Sequence, residues 1–342
     1  MSFRTEEELD IALSQPYPET VAMMKRLKGD ILILGVGGKM GPSLAMMAKR
    51  AVEEAGTHQR IIGVARFSET GIREKLNHAG IETIRCDLMD RQQVQALPDV
   101  ENVIFMAGRK FGSVGSEPLT WMMNVIVPGI VAERYQKSNL LVFSTGCVYS
   151  LSTPESGGSK ESDFPEPVGE YANSCLGRER IFQYYSEKHG TKVQLYRLNY
   201  SIDCRYGVLV DVARKIVSNQ PIDLGVSYVN IIWQGDACNR ALLGLEHTGT
   251  PATILNITGP ELLHIKDIAE QFGKLLGKEV QFTGKDNGSY YLSNASRSIE
   301  LYGLPKTKPE QMIQWVADWI NQGGNLLDKP THFEVTNGQF LD

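Results

Sequence analysis

ILILGVGGKMGPSLA, residues 31–45, decides the fold. ILILGV (31–36) is a short, continuous apolar run, as in a strand buried on both faces. From Met40 to Ala55 the apolar residues take helical spacing. Between strand and helix, Gly35, Gly38 and Gly41 recur at every third position, with Gly37 inside the turn. That order is the context in which backbone N–H groups and the positive end of a helix receive a pyrophosphate. Gly35, Gly37, Gly38, Lys39, Met40 and Gly41 are therefore the first candidate cofactor-binding residues.

Working outward, apolar runs and amphipathic stretches alternate. IIGVA (61–65), ETIRCDL (82–88), NVIFMAG (102–108), NLLVFST (139–145) and VQLYRLN (193–199) read as strands, and 69–79, 119–137 and 171–189 as helices. The expected class is α/β: a Rossmann-type doubly wound parallel sheet with a smaller C-terminal α/β substrate domain. The predicted division is a helical N-terminal extension over 1–29, with a surface helix near 5–14, and a dinucleotide-binding domain over 30–198. Residues 228–258 return to that domain; 199–227 and 259–322 form the substrate domain, and 323–342 a polar tail. In the second half the expected strands are 228–233 and 252–258. The expected helices are 205–219, 235–247, 264–277 and 309–321. The Ser-, Gly-, Pro- and Glu-rich stretch 150–170 reads as a long functional loop.

The second strand selects the cofactor. An NAD-binding domain usually ends it with an acid on the ribose 2′-hydroxyl. Here it ends Val64-Ala65-Arg66-Phe67-Ser68. Arg66 suits a 2′-phosphate, so NADP is preferred, with NAD as the alternative.

Further motifs follow in order: Asp87-Leu88 after the third strand, Ala107-Gly108 after the fourth, Asn124 on the next helix, Ser144-Thr145-Gly146-Cys147-Val148-Tyr149, Glu170-Tyr171-Ala172-Asn173-Ser174, Arg197-Leu198-Asn199 and Asn256-Ile257-Thr258-Gly259. On these the chain, from about residue 30 to 320, resembles the extended short-chain dehydrogenase/reductase family, the NAD-dependent epimerase/dehydratase group. The resemblance implies that Asp87 and Leu88 contact the adenine and that Ala107 and Gly108 line the cofactor. It also implies that Tyr171 moves a proton at a substrate oxygen which Thr145 hydrogen-bonds. It implies an oxidoreductase or epimerase acting on a sugar, sugar acid or nucleotide sugar, and a homodimer built on helices 119–137 and 171–189. Ile126, Ile130, Ile181 and Tyr185 are expected on the outer faces of those helices.

One position departs from the family. A lysine one turn after the tyrosine would lower the phenol pKa; position 175 is Cys. Cys175 itself reads as a small buried filler. Arg109 and Lys110, after the fourth strand, are the candidate replacements, whereas Arg178, two turns after Tyr171, is expected to lie too far away. Without a cation Tyr171 still donates a proton, which suits carbonyl reduction. The alternative reading is a catalytically impaired NADP(H) sensor. Arg109, Asn199 and Arg205 are candidate substrate contacts, Asp236 a helix-starting residue, and Trp315 and Trp319 core residues.

Composition bounds the rest. A net charge of −5 offers no basic excess for nucleic acid, and no apolar run suffices to span a bilayer. The acidic N-terminus lacks an apolar signal core, and five scattered cysteines show no C-x-x-C pair. A cytoplasmic protein with a small-molecule substrate is expected, without membrane or nucleic-acid partners. The six histidines form no zinc-type grouping, so no metal is expected.

Overall fold

The structure, a computed structural model, describes residues 2–110, 115–329 and 331–339. Its centre is a seven-stranded parallel sheet. The strands are β1 (Ile31–Leu34), β2 (Ile61–Ala65), β3 (Glu82–Arg85), β4 (Asn102–Phe105), β5 (Asn139–Thr145), β6 (Lys192–Leu198) and β7 (Thr253–Ile257). In space they run β7-β6-β5-β4-β1-β2-β3. The chain builds outward from β1 to β3, then crosses back to β4 on the other side of β1. The crevice beyond the carboxyl ends of β1 and β4 is thus a topological switch point, where open α/β sheets bind ligands.

Both faces of the sheet are covered, as the unbroken apolar strands require. On one face helices Pro18–Arg26, Gly41–Ala55 and Gln234–Leu243 bury Met23, Met24, Leu44, Met47, Cys238 and Leu242. On the other, helices Val127–Arg134 and Gly169–His189 bury Ile130, Val131 and Phe182. A separate core unites helices Val208–Val217, Ile265–Leu276 and Pro309–Asn321 with Leu9 and Leu13 of the N-terminal helix Glu6–Leu13. Trp319 is buried in that core and Trp315 packs against it.

Several expectations are corrected. Residues 228–233 do not form one strand and do not join the central sheet. Tyr228–Val229 pairs with Leu263–His264, and Ile232–Trp233 with Ser201–Ile202. Asn230, between them, turns inward to donate to the Ser293 carbonyl at 2.6 Å. The helix expected over 119–137 contains a π-helical turn at Met122–Ile126, just before Pro128, which lacks an N–H for the α pattern. Ile130, expected on an outer face, is 1% exposed and belongs to the core; Ile181 and Tyr185 are half-buried against it, and only Ile126 is open. The N-terminal segment is built into the core. The tail beyond residue 322 is docked too: Phe333 is buried, and Leu327 N–H donates to the Arg205 carbonyl at 3.1 Å.

Candidate cofactor cleft and active site

The glycine turn follows β1 directly. Gly35 has φ +93°, and a Cβ there would lie 2.7 Å from the Ala107 nitrogen; at Gly41 it would lie 2.1 Å from the Val36 carbonyl oxygen. Both glycines are demanded by the protein's own packing. Gly38 is different. It is exposed, and a Cβ would approach nothing closer than the Gly35 oxygen at 3.4 Å, an ordinary contact. The space beside it belongs to a cleft of about 240 Å³ at the switch point. Gly35, Gly37, Gly38, Arg66, Asp87, Leu88, Ala107 and Gly108 line that cleft, with Ser68 and Glu69 beside Arg66. A glycine with open space beside it, next to a helix N-terminus, fits the close approach of a dinucleotide pyrophosphate.

Lys39 and Met40 turn the other way, into a second cavity of about 300 Å³ that shares Gly38 and Met106 with the cleft. Lys110, Thr145, Tyr171 and Asn199 also line it. Thr145 ends β5, and its hydroxyl accepts the Cys147 N–H at 3.2 Å, capping the turn Gly146–Val148. Tyr171 sits in the first turn of the helix Gly169–His189, hydrogen-bonded to the side chains of Thr145 and Cys175. Burial drives the Tyr171 phenol well above the ordinary tyrosine value, with the Cys175 and Cys147 thiols adding to the effect and Arg178 opposing it. Cys175 is 1% exposed, and burial pushes its thiol up to about 11, so it is neutral at physiological pH.

The expected cations are placed unequally. The Lys110 ammonium lies 5.9 Å from the centre of the Tyr171 ring and donates to the Thr331 carbonyl at 3.1 Å. Burial lowers its pKa. The Arg109 side chain lines neither cavity; its backbone N–H and carbonyl are clamped by Asn124 at 2.8 Å each. Arg178, expected to lie too far from Tyr171, bears on it through its charge. It is buried, donates to Asn124 Oδ1 and the Phe143 carbonyl at 2.8 Å each, and is the cation that opposes the rise of the Tyr171 pKa. A Cβ on Gly108 would lie 2.4 Å from its guanidinium, so the glycine leaves room for Arg178 beneath the cleft.

The candidate substrate contacts divide. Asn199 touches the cavity, but its amide also donates to Asn230 at 2.8 Å and to the Tyr291 carbonyl at 3.2 Å. Arg205 lines neither cavity; Asp203 (2.9 Å) and Asp10 (3.1 Å) hold it, tying the N-terminal helix to the second core. Asp236 opens the helix Gln234–Leu243, as expected, but is buried there.

Sequence reading missed the support beneath the site. Arg197 of β6 meets Glu179 fork to fork at 2.9 and 2.6 Å, both fully buried. Glu179 accepts the Ser144 hydroxyl at 2.5 Å, and Arg197 donates to Tyr149 OH at 2.6 Å. Residue 144 precedes Thr145, and residue 179 lies on the Tyr171 helix, so this network fixes the two site residues relative to each other. No three His, Cys, Asp or Glu side chains among the described residues are placed to hold a metal. No helix among them is long and apolar enough to cross a membrane.

Solved structures of similar architecture include UDP-glucuronic acid 4-epimerase from Bacillus cereus in complex with NAD (18% identity, TM-score 0.71, covering 86% of this chain and 99% of that one). UDP-glucose 4-epimerase from Thermotoga maritima with UDP-glucose is also similar (18%, TM-score 0.70, 86% and 99%). So is dTDP-glucose 4,6-dehydratase from Bacillus anthracis in complex with NAD (19%, TM-score 0.71, 86% and 96%). At these identities the likeness carries the fold. No curated protein matches the chain. The sequence profile of one family matches residues 31–202, the half of the chain that holds the glycine turn, Thr145 and Tyr171. On that match the chain belongs to the NAD dependent epimerase/dehydratase family.

Proposed function

We propose that the chain binds a nicotinamide dinucleotide along the switch-point cleft and acts on a sugar-type substrate in the adjoining cavity, with Tyr171 as the acid/base. One observation carries the reading: Tyr171 and Thr145, hydrogen-bonded to each other, line a cavity that adjoins the glycine cleft across their shared lining residues Gly38 and Met106. The bound nicotinamide would supply or accept a hydride at the substrate carbon. Tyr171 donates its proton to the oxygen on that carbon, and Thr145 holds the oxygen in line. A phenol pushed upward by burial is protonated at neutral pH. The site is therefore poised as a proton donor, for carbonyl reduction or for the reductive half of an epimerisation. Arg178 supplies part of the charge that position 175 lacks, and Lys110 faces the same ring.

NADP is the preferred cofactor. Arg66 and Ser68 line the cleft at the end of β2, and the nearest acid along the chain, Glu69, is paired with Lys329 at 3.7 Å. Lys110, Tyr171 and Thr145 are the proposed catalytic set. A homodimer is supported by the exposed Leu119, Trp121, Ile126 and Tyr184 on the two long helical segments. A dimeric mass by light scattering checks this. Five free, buried cysteines suit a reducing, cytoplasmic setting. The sensor reading is favoured by one feature, the neutral thiol of Cys175. Fluorescence titration with NADPH and NADH, followed by a turnover screen on sugars and sugar acids, tests the proposal. Cofactor binding with turnover supports the enzyme, binding without turnover supports the sensor, and no binding contradicts both.

A further inference from the structure

Lys110 meets the C-terminal tail at the cavity wall. Its ammonium donates to the carbonyl of Thr331 at 3.1 Å, while lying 5.9 Å from the centre of the Tyr171 ring. Thr331 lines the same cavity and is buried. It is itself gripped from the other side. Its N–H and its hydroxyl both donate to one carboxylate oxygen of Asp211, at 2.8 and 2.5 Å, and the hydroxyl accepts the Phe333 N–H at 3.3 Å. Asp211 stands in the first turn of the helix Val208–Val217. Three polar groups of one tail residue are thus engaged, two on Asp211 and the third on Lys110. Burial lowers the Lys110 pKa, and the Asp211 charge is among the influences that oppose the fall. A carbonyl offered to a desolvated ammonium replaces water that burial has removed.

The path of the tail is set by ties on both sides of Thr331. Lys329, also a cavity residue, reaches Glu69 of the cofactor cleft at 3.7 Å. Phe333 is buried in the second core, and Glu334 pairs with Lys215 on the Asp211 helix. The tail then passes the start of the Tyr171 helix, where a Cβ on Gly169 would lie 2.5 Å from the Gly338 carbonyl. Between these ties the backbone is left-handed at Asp328 (φ +47°) and His332 (φ +54°), on either side of Thr331. At non-glycine residues such conformations persist where surrounding contacts impose them. The tail therefore runs from the cofactor cleft to the Tyr171 helix and presents the Thr331 carbonyl to Lys110 on the way.

We propose that Thr331 and Asp211 are positioning residues: anchored on Asp211, the Thr331 carbonyl holds the Lys110 ammonium at the Tyr171 ring. The inference rests on the reading of Lys110 as part of the catalytic set, and its first test needs no turnover. The full-length protein is treated briefly with acetic anhydride, and acetylation of Lys110 is followed by peptide mass spectrometry. The amine reacts once it leaves the Thr331 carbonyl, so its rate follows the local docking equilibrium of the tail. Thr331→Val keeps the side-chain shape and removes the hydroxyl bonded to a carboxylate; Lys110 acetylation should rise about tenfold. Asp211→Ala removes both acceptor contacts and should raise it at least as much. Thr331→Ser keeps the hydroxyl and should stay within about twofold of the wild type. Thermal midpoints of the three variants report whether the fold survives. A rate cycle then joins position to chemistry, using NADPH and the sugar or sugar acid that turns over fastest in the screen. Lys110→Met and Thr331→Val should each slow single-turnover hydride transfer, and the double variant should be no slower than Lys110→Met alone, as when one residue acts through the other. Unchanged Lys110 acetylation in both Thr331→Val and Asp211→Ala, or additive losses of rate in the double variant, would overturn the proposal. If no sugar or sugar acid turns over, the catalytic reading is lost, and acetylation alone decides whether the tail holds Lys110.

Discussion

The guanidinium of Arg178 donates to the side-chain oxygen of Asn124 at 2.8 Å, and that same oxygen accepts the backbone N–H of Arg109 at 2.8 Å. A buried cation is thereby locked to the loop that follows β4. Through this lock the helix carrying Tyr171 and the loop carrying Lys110 share one electrostatic element. Position 175, where the family resemblance implies a lysine, carries a neutral thiol, and Arg178, one turn further along the helix, is a buried cation that partly opposes the rise of the Tyr171 pKa.

That arrangement predicts the direction of the pH profile. With Tyr171 held well above the ordinary phenol value, alcohol oxidation should rise with pH through neutrality without reaching a plateau, while carbonyl reduction should be flat. Cys175→Lys places an ammonium one turn from the phenol and should lower its pKa by about one to three units, raising oxidation at neutral pH about tenfold or more. Initial rates against pH for the wild type and this variant measure it. An unshifted profile would contradict the assignment of the oxidation limb to the Tyr171 phenol.

Gly38→Val should separate cofactor binding from folding. The cleft, not the protein, is what a side chain at 38 would enter. The thermal midpoint should stay near the wild-type value while NADPH fluorescence enhancement disappears. Gly41→Val should instead destabilise the fold, because its Cβ would collide with the Val36 carbonyl.

Arg66→Asp should reverse cofactor preference. Removing the cation costs the charge-assisted contacts to a 2′-phosphate, about tenfold or more in NADPH affinity, and the new carboxylate suits a 2′-hydroxyl. NADH should bind as well as before or better. Equal wild-type affinities for the two cofactors would remove the NADP preference.

Asp236 sets a stability trend with pH. Burial pushes its carboxyl up to about 6, against the downward pull of the Thr307 N–H and Arg240. The folded state keeps a proton that the unfolded chain releases near pH 4. The stability this group contributes is therefore full below about pH 4 and is lost as the pH rises through 6. Asp236→Asn keeps the contacts to Tyr17 and Thr307 in shape and should flatten that loss. It should raise stability at pH 7 relative to the wild type by about 2 kcal/mol. Thermal unfolding of both proteins from pH 4 to 8 measures the difference.

The sheet was legible because each buried strand is a short apolar run closed by a turn, and because the glycine spacing fixes the crossing at β1. Tyr171 and Thr145 were legible as motif positions. What escaped was set by packing between segments far apart in sequence. Glu179 lies on the same helix stripe as Cys175, Phe182 and Ser186, a face otherwise built for burial, and Arg197 lies within an apolar strand. Each is a charged residue in a buried pattern, which requires a partner; only the fold shows that they are partners of each other. Residues 228–233 looked like a strand by composition, but the inward hydrogen bond of Asn230 breaks the run. The docked tail left no periodic signal, since its ties are isolated polar contacts, the Thr331 N–H and hydroxyl to Asp211 and Glu334 to Lys215. Counting turns from Tyr171 also gave no sign that the Arg178 guanidinium reaches the Phe143 carbonyl and Asn124 beneath the cleft.

The most direct test of the account is single-turnover hydride transfer in Tyr171→Phe. The protein is loaded with NADPH, mixed with a carbonyl substrate from the sugar-acid screen, and the loss of reduced-nicotinamide absorbance is followed. Phe keeps the ring that Lys110 faces and removes the hydroxyl that carries the proton. NADPH affinity should be unchanged and the rate lower by about a hundredfold or more. Hydride transfer at the wild-type rate in this variant would contradict it.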